Sequence, residues 1–424
     1  MIAAARPLSA LFAGVALLLM GSGLLGSLLA VRSELEGFDA RAFGLVMSLY
    51  FVGFLVGTYI APNLIRRIGH IRCFAFYTSL IAATVLLHPI LPNPWAWGVL
   101  RLVSGIAFVG LYTVIESWLN AQAPVEQRSR VFGLYMVVNL GALAIGQLLF
   151  GLSDPAHYVP FSLVAVLICL AALPVTASRM TQPELPHSPR LALAAIYRTA
   201  PAAASGALLA GVGMGGFWGL TALYGTRLGL GVSQVATLIS AAIIGGAVMQ
   251  LPIGRISDRG DRRTAMALVS ALAVGVALAL SLQGGDNRPL LYALFFGFGG
   301  LVFSIYPICV AHLLDHLPPR DILSGGSSLL LLNGVGSAIG PAVGGLVMER
   351  WGPETLPLFF AASFGLVAVV ALGRRLVRHR DREHPGQFHP MVRTTPSALE
   401  LLPETHEPGE AEPAQPAQAP RDQR

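Results

Sequence analysis

Long apolar runs separated by short polar stretches dominate this chain. They lie near 8–31, 44–65, 73–91, 95–119, 131–152, 159–177, 202–224, 235–253, 265–282, 290–314, 327–347 and 356–376. A helix crossing about 30 Å of hydrocarbon needs roughly 20 apolar residues, so the pattern predicts twelve membrane-spanning helices. Glycine interrupts many of the runs, as lipid-embedded helices tolerate where they pack closely. Arg6 ahead of the first run gives it the outline of a signal peptide. That run exceeds the roughly 7–15 residues of a signal core, and further spans follow it. It reads as the first helix.

The polar segments divide the chain. Six spans in residues 1–178 form an N-terminal half, 179–201 is a central loop, and six spans in 202–376 form a C-terminal half. The central loop holds Pro183, Pro186 and Pro189. The tail over 377–424 is rich in Pro, Glu and Gln, a composition expected to be disordered. Its basic approach, from Arg374 to Arg382, suits anionic lipid headgroups. Arginine placement orients the chain. With a cytoplasmic N-terminus, the clusters Arg66, Arg67 and Arg72, Arg128 and Arg130, Arg255 to Arg263, and Arg374 to Arg382 all fall inside. The outside loops hold Arg32, Arg41, Arg227, Arg288 and Arg350. An even number of spans then puts both termini in the cytoplasm of a bacterial cell, with the body in the inner membrane.

The two halves repeat each other. At an offset of 194 residues, Gly105 meets Gly299, Tyr112 meets Tyr306 and Pro124 meets Pro318. Asn139 meets Asn333, Gly146 meets Gly340 and Gly151 meets Gly345 at the same offset. Two six-helix halves related in this way are a signature of parallel-repeat transporters.

Composition narrows the class further. Hydrophobic residues make up 54% and charged residues only 12%, against about 25% charged in soluble domains. The net charge of +6 comes from arginine clusters between spans, not from one basic face, so nucleic acid is not implied as a partner. Cys73, Cys169 and Cys309 lie in separate runs with no C-x-x-C spacing. Neither a disulfide framework nor a metal site follows, and no cofactor is implied.

Several motifs carry chemistry. The loop after the eighth span reads Gly254-Arg-Ile-Ser-Asp258-Arg259-Gly260-Asp261-Arg262-Arg263. It resembles the loop signature of the major facilitator superfamily, G-x-x-x-D-R-x-G-R-R, with the second glycine shifted. In the first half, Pro62 and Arg66, followed by Arg67, stand where that signature has Gly and Asp. The resemblance implies a cytoplasmic gate in which Asp258 locks to arginines in one state and releases in the other. Topology anchoring by positive charge is the alternative reading of both loops. Arg101-Leu-Val-Ser-Gly105 resembles the family's fourth-span R-x-x-x-G, and an arginine inside hydrocarbon is a functional candidate. It faces a cavity, snorkels to the outer surface or makes a structural hydrogen bond to backbone carbonyls. Glu116 lies fifteen residues further along the same helix, about 22 Å away, too far to pair with Arg101. Glu116 is either a proton-coupling carboxylate or a partner in the cytoplasmic gate. Gly336-x-x-x-Gly340-Pro341-x-x-Gly344-Gly345 matches a glycine–proline motif that the family's drug/proton antiporters carry in span 5, but here it is in span 11, so it reads as a device for close helix packing.

The groups around Glu116-Ser117, Arg128-x-Arg130, Tyr135-Met136 and Gly146-Gln147 also resemble the uncharacterised bacterial inner-membrane permeases of the YcaD type. The resemblance implies an all-α MFS fold of twelve transmembrane helices in two pseudo-symmetric halves. It implies a substrate site between them, lined by spans 1, 4, 7 and 10. Arg101, Tyr112, Trp218 and Tyr306 are then the leading cavity candidates, with Asn139 and Gln147 as further polar points. Trp218 and Tyr224 also suit an aromatic belt at the outer end of the seventh span.

Two motifs are discounted. Gly211-x-Gly213-x-x-Gly216 lies inside a span with no preceding strand. His312-Leu-Leu-Asp315-His316 has the outline of a metalloprotease helix but reads as a solvated helix end. The expectation is a transporter rather than an enzyme. It is expected to be monomeric, surrounded by lipid, and to carry a small amphipathic or hydrophobic solute by alternating access, with protons as the coupling ion and export as a reasonable direction. A transport-inactive sensor or lipid-handling protein of the same fold is the alternative.

Overall fold

The structure, a computed structural model, describes residues 2–124, 127–152, 154–177, 183, 193–283, 287–318, 321–377, 388–391 and 395. The side chains of residues 2–8 and of Ser129 are not described.

Thirteen helices follow in order: α1 Ile2–Leu35, α2 Ala40–Ile68, α3 His70–Leu87, α4 Pro94–Gln122, α5 Arg128–Phe150, α6 Val159–Thr176, α7 Leu193–Thr199, α8 Pro201–Arg227, α9 Val232–Arg259, α10 Arg262–Gln283, α11 Arg288–Leu314, α12 Ile322–Trp351 and α13 Leu356–Val377. All but the short α7 are long and apolar enough to cross a membrane. No strand occurs among the described residues. The twelve expected spans are therefore present, and α7 is an addition within the central loop. The remainder of that loop, apart from Pro183 and the start of α8, lies outside the described residues, as does most of the expected tail.

Local chemistry fixes the helix starts. Asn93 caps α4 by accepting from the Trp95 amide at 2.9 Å, and Pro94 opens the helix. Asn287 caps α11 by accepting from the Leu290 amide at 3.2 Å, again with a proline in the first turn. Asparagine satisfies orphan amides at such a start, and proline loses nothing there. The two caps stand 194 residues apart, so the repeat extends to the helix starts.

The glycines of the repeat mark helix crossings. A Cβ on Gly105 would fall on the Tyr50 carbonyl of α2, and one on Gly299 on the Ala242 carbonyl of α9. Gly146 meets the Met20 carbonyl of α1 in the same way, and Gly340 the Val212 carbonyl of α8. Crossings α2/α4 and α9/α11 are thus equivalent, as are α1/α5 and α8/α12. Small residues let backbones approach this closely, which stabilises helices in lipid.

With twelve crossings, α1 begins and α13 ends on one side, here called the terminal face; the other is the far face. The halves α1–α6 and α8–α13 meet toward the far face. There Arg227 of α8 pairs with Glu34 of α1 at 3.1 Å and with Glu349 of α12 at 3.3 Å. Glu349 also accepts from the Ala40 amide of α2 at 2.9 Å. Below this, the Ser48 hydroxyl accepts from the Ala342 amide at 2.9 Å, and Gly44 lies directly against Pro341 and Gly345. Leu55 packs on Gly334, fifteen residues or about 22 Å down α2. The α2–α12 seam therefore runs from the far face to about mid-depth.

Candidate functional site

Glu116 is fully buried on α4, near its terminal-face end. A carboxylate in such a place needs strong donors. Tyr135 of α5 donates to it at 3.2 Å. The Thr395 amide donates at 2.9 Å, and the Thr395 hydroxyl donates to the same oxygen. Asn139, fully buried one turn further along α5, lies beside Tyr135, as does Tyr112 one turn from Glu116 on α4. Neither amide atom of Asn139 meets hydrogen-bond geometry with any described residue. Glu116, Tyr112, Tyr135 and Asn139 thus make one buried polar cluster between α4 and α5.

An aromatic row leads from this cluster toward the far face. Tyr112 neighbours Phe108 and Phe54, and Phe108 meets Tyr50 at 6.1 Å. Over the Tyr50 ring, at 4.1 Å, lies the guanidinium of Arg101. Arg101 is buried, and the ring face offers a cation–π partner within the bundle. In the other half, half-buried Trp218 packs on Phe303 at 5.5 Å and on Phe217 at 5.2 Å. Tyr306 is half-buried on α11, while Tyr224 is buried against Phe295 at 6.2 Å. Gln147 uses both ends of its amide on α1, accepting from Ser27 at 2.5 Å and donating to the Gly23 carbonyl at 2.7 Å. Its place is the α1–α5 crossing.

The charged loop after α9 is built around Arg262. This side chain is 1% exposed and donates to Asp315 at 2.8 Å and to Asp258 at 2.7 Å. Asp315 is equally buried, and His312 and His316 are buried beside it. The expectation of a solvated helix end at His312–His316 is therefore corrected: this end of α11 is an internal ion-pair site, because Arg262 folds back onto it. Arg263 donates to the Arg374 carbonyl at 3.1 Å. Arg66, Arg67 and Arg259 are exposed, with Arg66 donating to Asn63 at 2.6 Å. In the glycine motif, Gly336 and Gly340 press on α8 backbone and Gly344 on Leu220, whereas Gly345 and the Pro341 carbonyl face α2.

Four features were not assigned from sequence. Tyr135 was visible only as part of a motif. Asp315 needs Arg262, 53 positions away. The Glu34–Arg227–Glu349 clasp joins three segments read separately as loop charges or not at all. The fourth is the tail: Phe388, Met391 and Thr395 are buried, and the Phe388 amide donates to Asp258 at 2.9 Å. Burial lowers the His389 imidazole from its ordinary value, with Asp258 opposing the shift and Arg262 adding to it. Among the described residues, no group of three or more His, Cys, Asp or Glu side chains could hold a metal ion.

Two pseudo-symmetric six-helix halves, joined on one side and enclosing buried charged and aromatic groups, define a polytopic membrane transporter. The sequence profile of the Major Facilitator Superfamily matches residues 11–201 and 203–408, and the chain belongs to that family. A relative named as an uncharacterized MFS-type transporter YcaD, from Salmonella typhi, is 27% identical over 379 residues, covering 88% of this chain and 96% of its own. The crystal structure of the nucleoside transporter NupG superposes with a TM-score of 0.70 at 16% identity, covering 87% of this chain and 98% of that one. A bacterial homologue of the human lysosomal transporter Spinster, inward-facing and occupied, gives 0.70 at 14% identity, covering 87% and 95%. Likeness at such identities shows the fold. The protein is thus a multi-pass secondary transporter of small molecules that works by alternating access, in a family of transporters rather than enzymes.

Proposed function

We propose that the protein is a proton-coupled carrier of small amphipathic or hydrophobic solutes, neutral or singly negative, in a bacterial inner membrane. It works as a monomer with both termini in the cytoplasm, and export is its physiological direction. In this reading the structure is the inward-facing state, with the far face periplasmic and closed. The observation that carries the proposal is Glu116: among the described residues it is the one fully buried carboxylate of the N-terminal half. An intramembrane carboxylate is costly and therefore a functional candidate by default, and a proton neutralises it. Arg101 supplies a buried positive counterpart for an anionic group, and the aromatic rows on α2, α4, α8 and α11 suit an apolar body. In the outward-facing state Asp258, Arg66, Arg67 and Arg259 form the cytoplasmic gate, an exchange of surface pairs worth little each but enough together to bias a two-state equilibrium.

The test is uptake of a panel of amphipathic solutes into proteoliposomes with and without an imposed pH gradient. Unmodified protein should accumulate at least one solute in the gradient. Glu116→Gln should exchange that solute while losing accumulation. Gradient-independent flux by the unmodified protein would remove proton coupling, and a variant that keeps full accumulation would remove Glu116 from it.

A further inference from the structure

At the terminal face the two halves are bridged by the tail. Thr395 is 1% exposed and seated on Glu116 of the N-terminal half. Phe388 is anchored to the C-terminal half, its amide on Asp258 and its ring against Gly254, where a Cβ would collide with it. Met391, 4% exposed, is buried between these anchors in sequence. Both anchors use the same chemistry: a main-chain N–H of the tail donates to a carboxylate of the helical bundle. At Glu116 the hydroxyl of the same residue adds a second donor.

The chemistry of the site follows from its occupant. Glu116, shielded from water, is stabilised by donors. Tyr135 is a permanent one, and Thr395 supplies an adjacent N–H and O–H. When the tail leaves, water or a solute with the same donor pair must replace it. Tyr112, one turn away on α4 and beside Tyr135, is buried aromatic surface, so the rest of that solute should be apolar. A tethered occupant acts at an effective concentration in the millimolar range, which favours it over a weakly bound free ligand. Because the tail is fixed to both halves, it also obstructs closure of the terminal face.

We propose that Glu116 and Tyr135 form a binding site for solutes bearing adjacent N–H and O–H donors, and that Thr395, held near it by the anchor at Phe388, occupies it in cis as a self-inhibitory competitor. This rests on the transport reading for its consequence, but docking itself can be measured without transport.

The experiment uses the full chain in detergent with Cys169→Ser, which removes the exposed native thiol and leaves Cys73 and Cys309 buried. Met391→Cys is the reporter, and its alkylation rate by a charged maleimide is the readout. Slow alkylation is expected. Phe388→Ala, which removes the ring packed on Gly254 and leaves the amide, combined with Thr395→Pro, which removes both Thr395 donors, should accelerate it at least about tenfold, the scale of losing charge-assisted hydrogen bonds. Both substitutions lie beyond the last span, and an unchanged size-exclusion profile verifies the bundle. N-acetylthreonine methylamide at millimolar concentration should also accelerate alkylation in the reporter chain, and the alanine analogue should do so less. Rapid alkylation in every chain, or no response to the double substitution, would overturn the docking. Equal effects of the two amides would overturn donor-pair recognition. None of these outcomes bears on whether the protein carries solute, which the proteoliposome assay decides separately.

Discussion

Asp315→Asn should destabilise the protein by about 3–5 kcal/mol, the cost of breaking a buried ion pair from one side. Arg262 and Asp315 are each 1% exposed in their side chains, whereas Asp258, the second acceptor, is 35% exposed. Removing the Asp315 charge takes the buried carboxylate from the guanidinium, and Asp258, which water screens, is a weaker counter-charge. Ser257 lies at 3.3 Å from the same nitrogen that Asp258 uses, so it does not compensate. The contacts tie the start of α10 to the ends of α9 and α11, so the loss should be felt by the whole C-terminal half. Replacing both partners by apolar residues, Arg262→Met with Asp315→Leu, should be milder than the single change, because no charge is then stranded. The measurement is the midpoint of heat-induced loss of the monodisperse peak in detergent. A midpoint for Asp315→Asn equal to that of the unmodified protein would contradict the assignment of this pair as structural.

Gly44→Leu should open the far face. A Cβ at position 44 would fall on the Pro341 carbonyl and close to Gly345, so α2 and α12 cannot remain as near as they are. Overpacking of this kind costs about 1–3 kcal/mol. The contact joins the two halves rather than two helices of one half, so separation of the halves relieves the strain. Applied to a two-state equilibrium, that energy shifts populations by roughly fivefold to 150-fold. Ser48→Cys reports it: Ser48 is buried in the seam and bonded to Ala342. Its reaction with a membrane-impermeant thiol reagent added at the far face should rise by that factor in the Gly44→Leu background. An unchanged rate would mean that the seam does not open during function.

Much of this was legible in the sequence because lipid makes spans long and apolar. The twelve runs, their division six and six, and the 194-residue repeat all follow from residue type and spacing. The repeat also carried packing information, since Gly105, Gly299, Gly146 and Gly340 are the places where backbones touch. Pairings across the fold were not legible. Arg262 and Asp315 are joined only once α10 and α11 are packed, and a pattern read along the chain treats each alone. Arg227 looked like one charge in an outside loop, yet it holds Glu34 and Glu349 together across the halves. Gln147 looked like a polar point for a cavity, and nothing in its spacing shows that Ser27 and Gly23 take both ends of its amide. The tail was judged by average composition, which hides two apolar residues, Phe388 and Met391, among many polar ones. The polar cluster at Glu116 was legible by half: the carboxylate was evident, but Tyr135 and Thr395 become its partners only through the fold.

Alternating access requires that the two faces move in opposition, and spin-label distances test this most directly. One pair replaces the exposed Arg41 and Arg350 near the far ends of α2 and α12; the other replaces the exposed Asn63 and Ile256 near the terminal ends of α2 and α9, which are outside the proposed gate. Distances in each pair are measured by double electron–electron resonance in lipid nanodiscs, for the otherwise unmodified protein and for Gly44→Leu. The longer far-face distance should gain weight in Gly44→Leu by the same fraction as the shorter terminal-face distance. A far face that widens while the terminal pair keeps its distribution, or a single unchanging distance in both pairs, would contradict alternating access between these two halves.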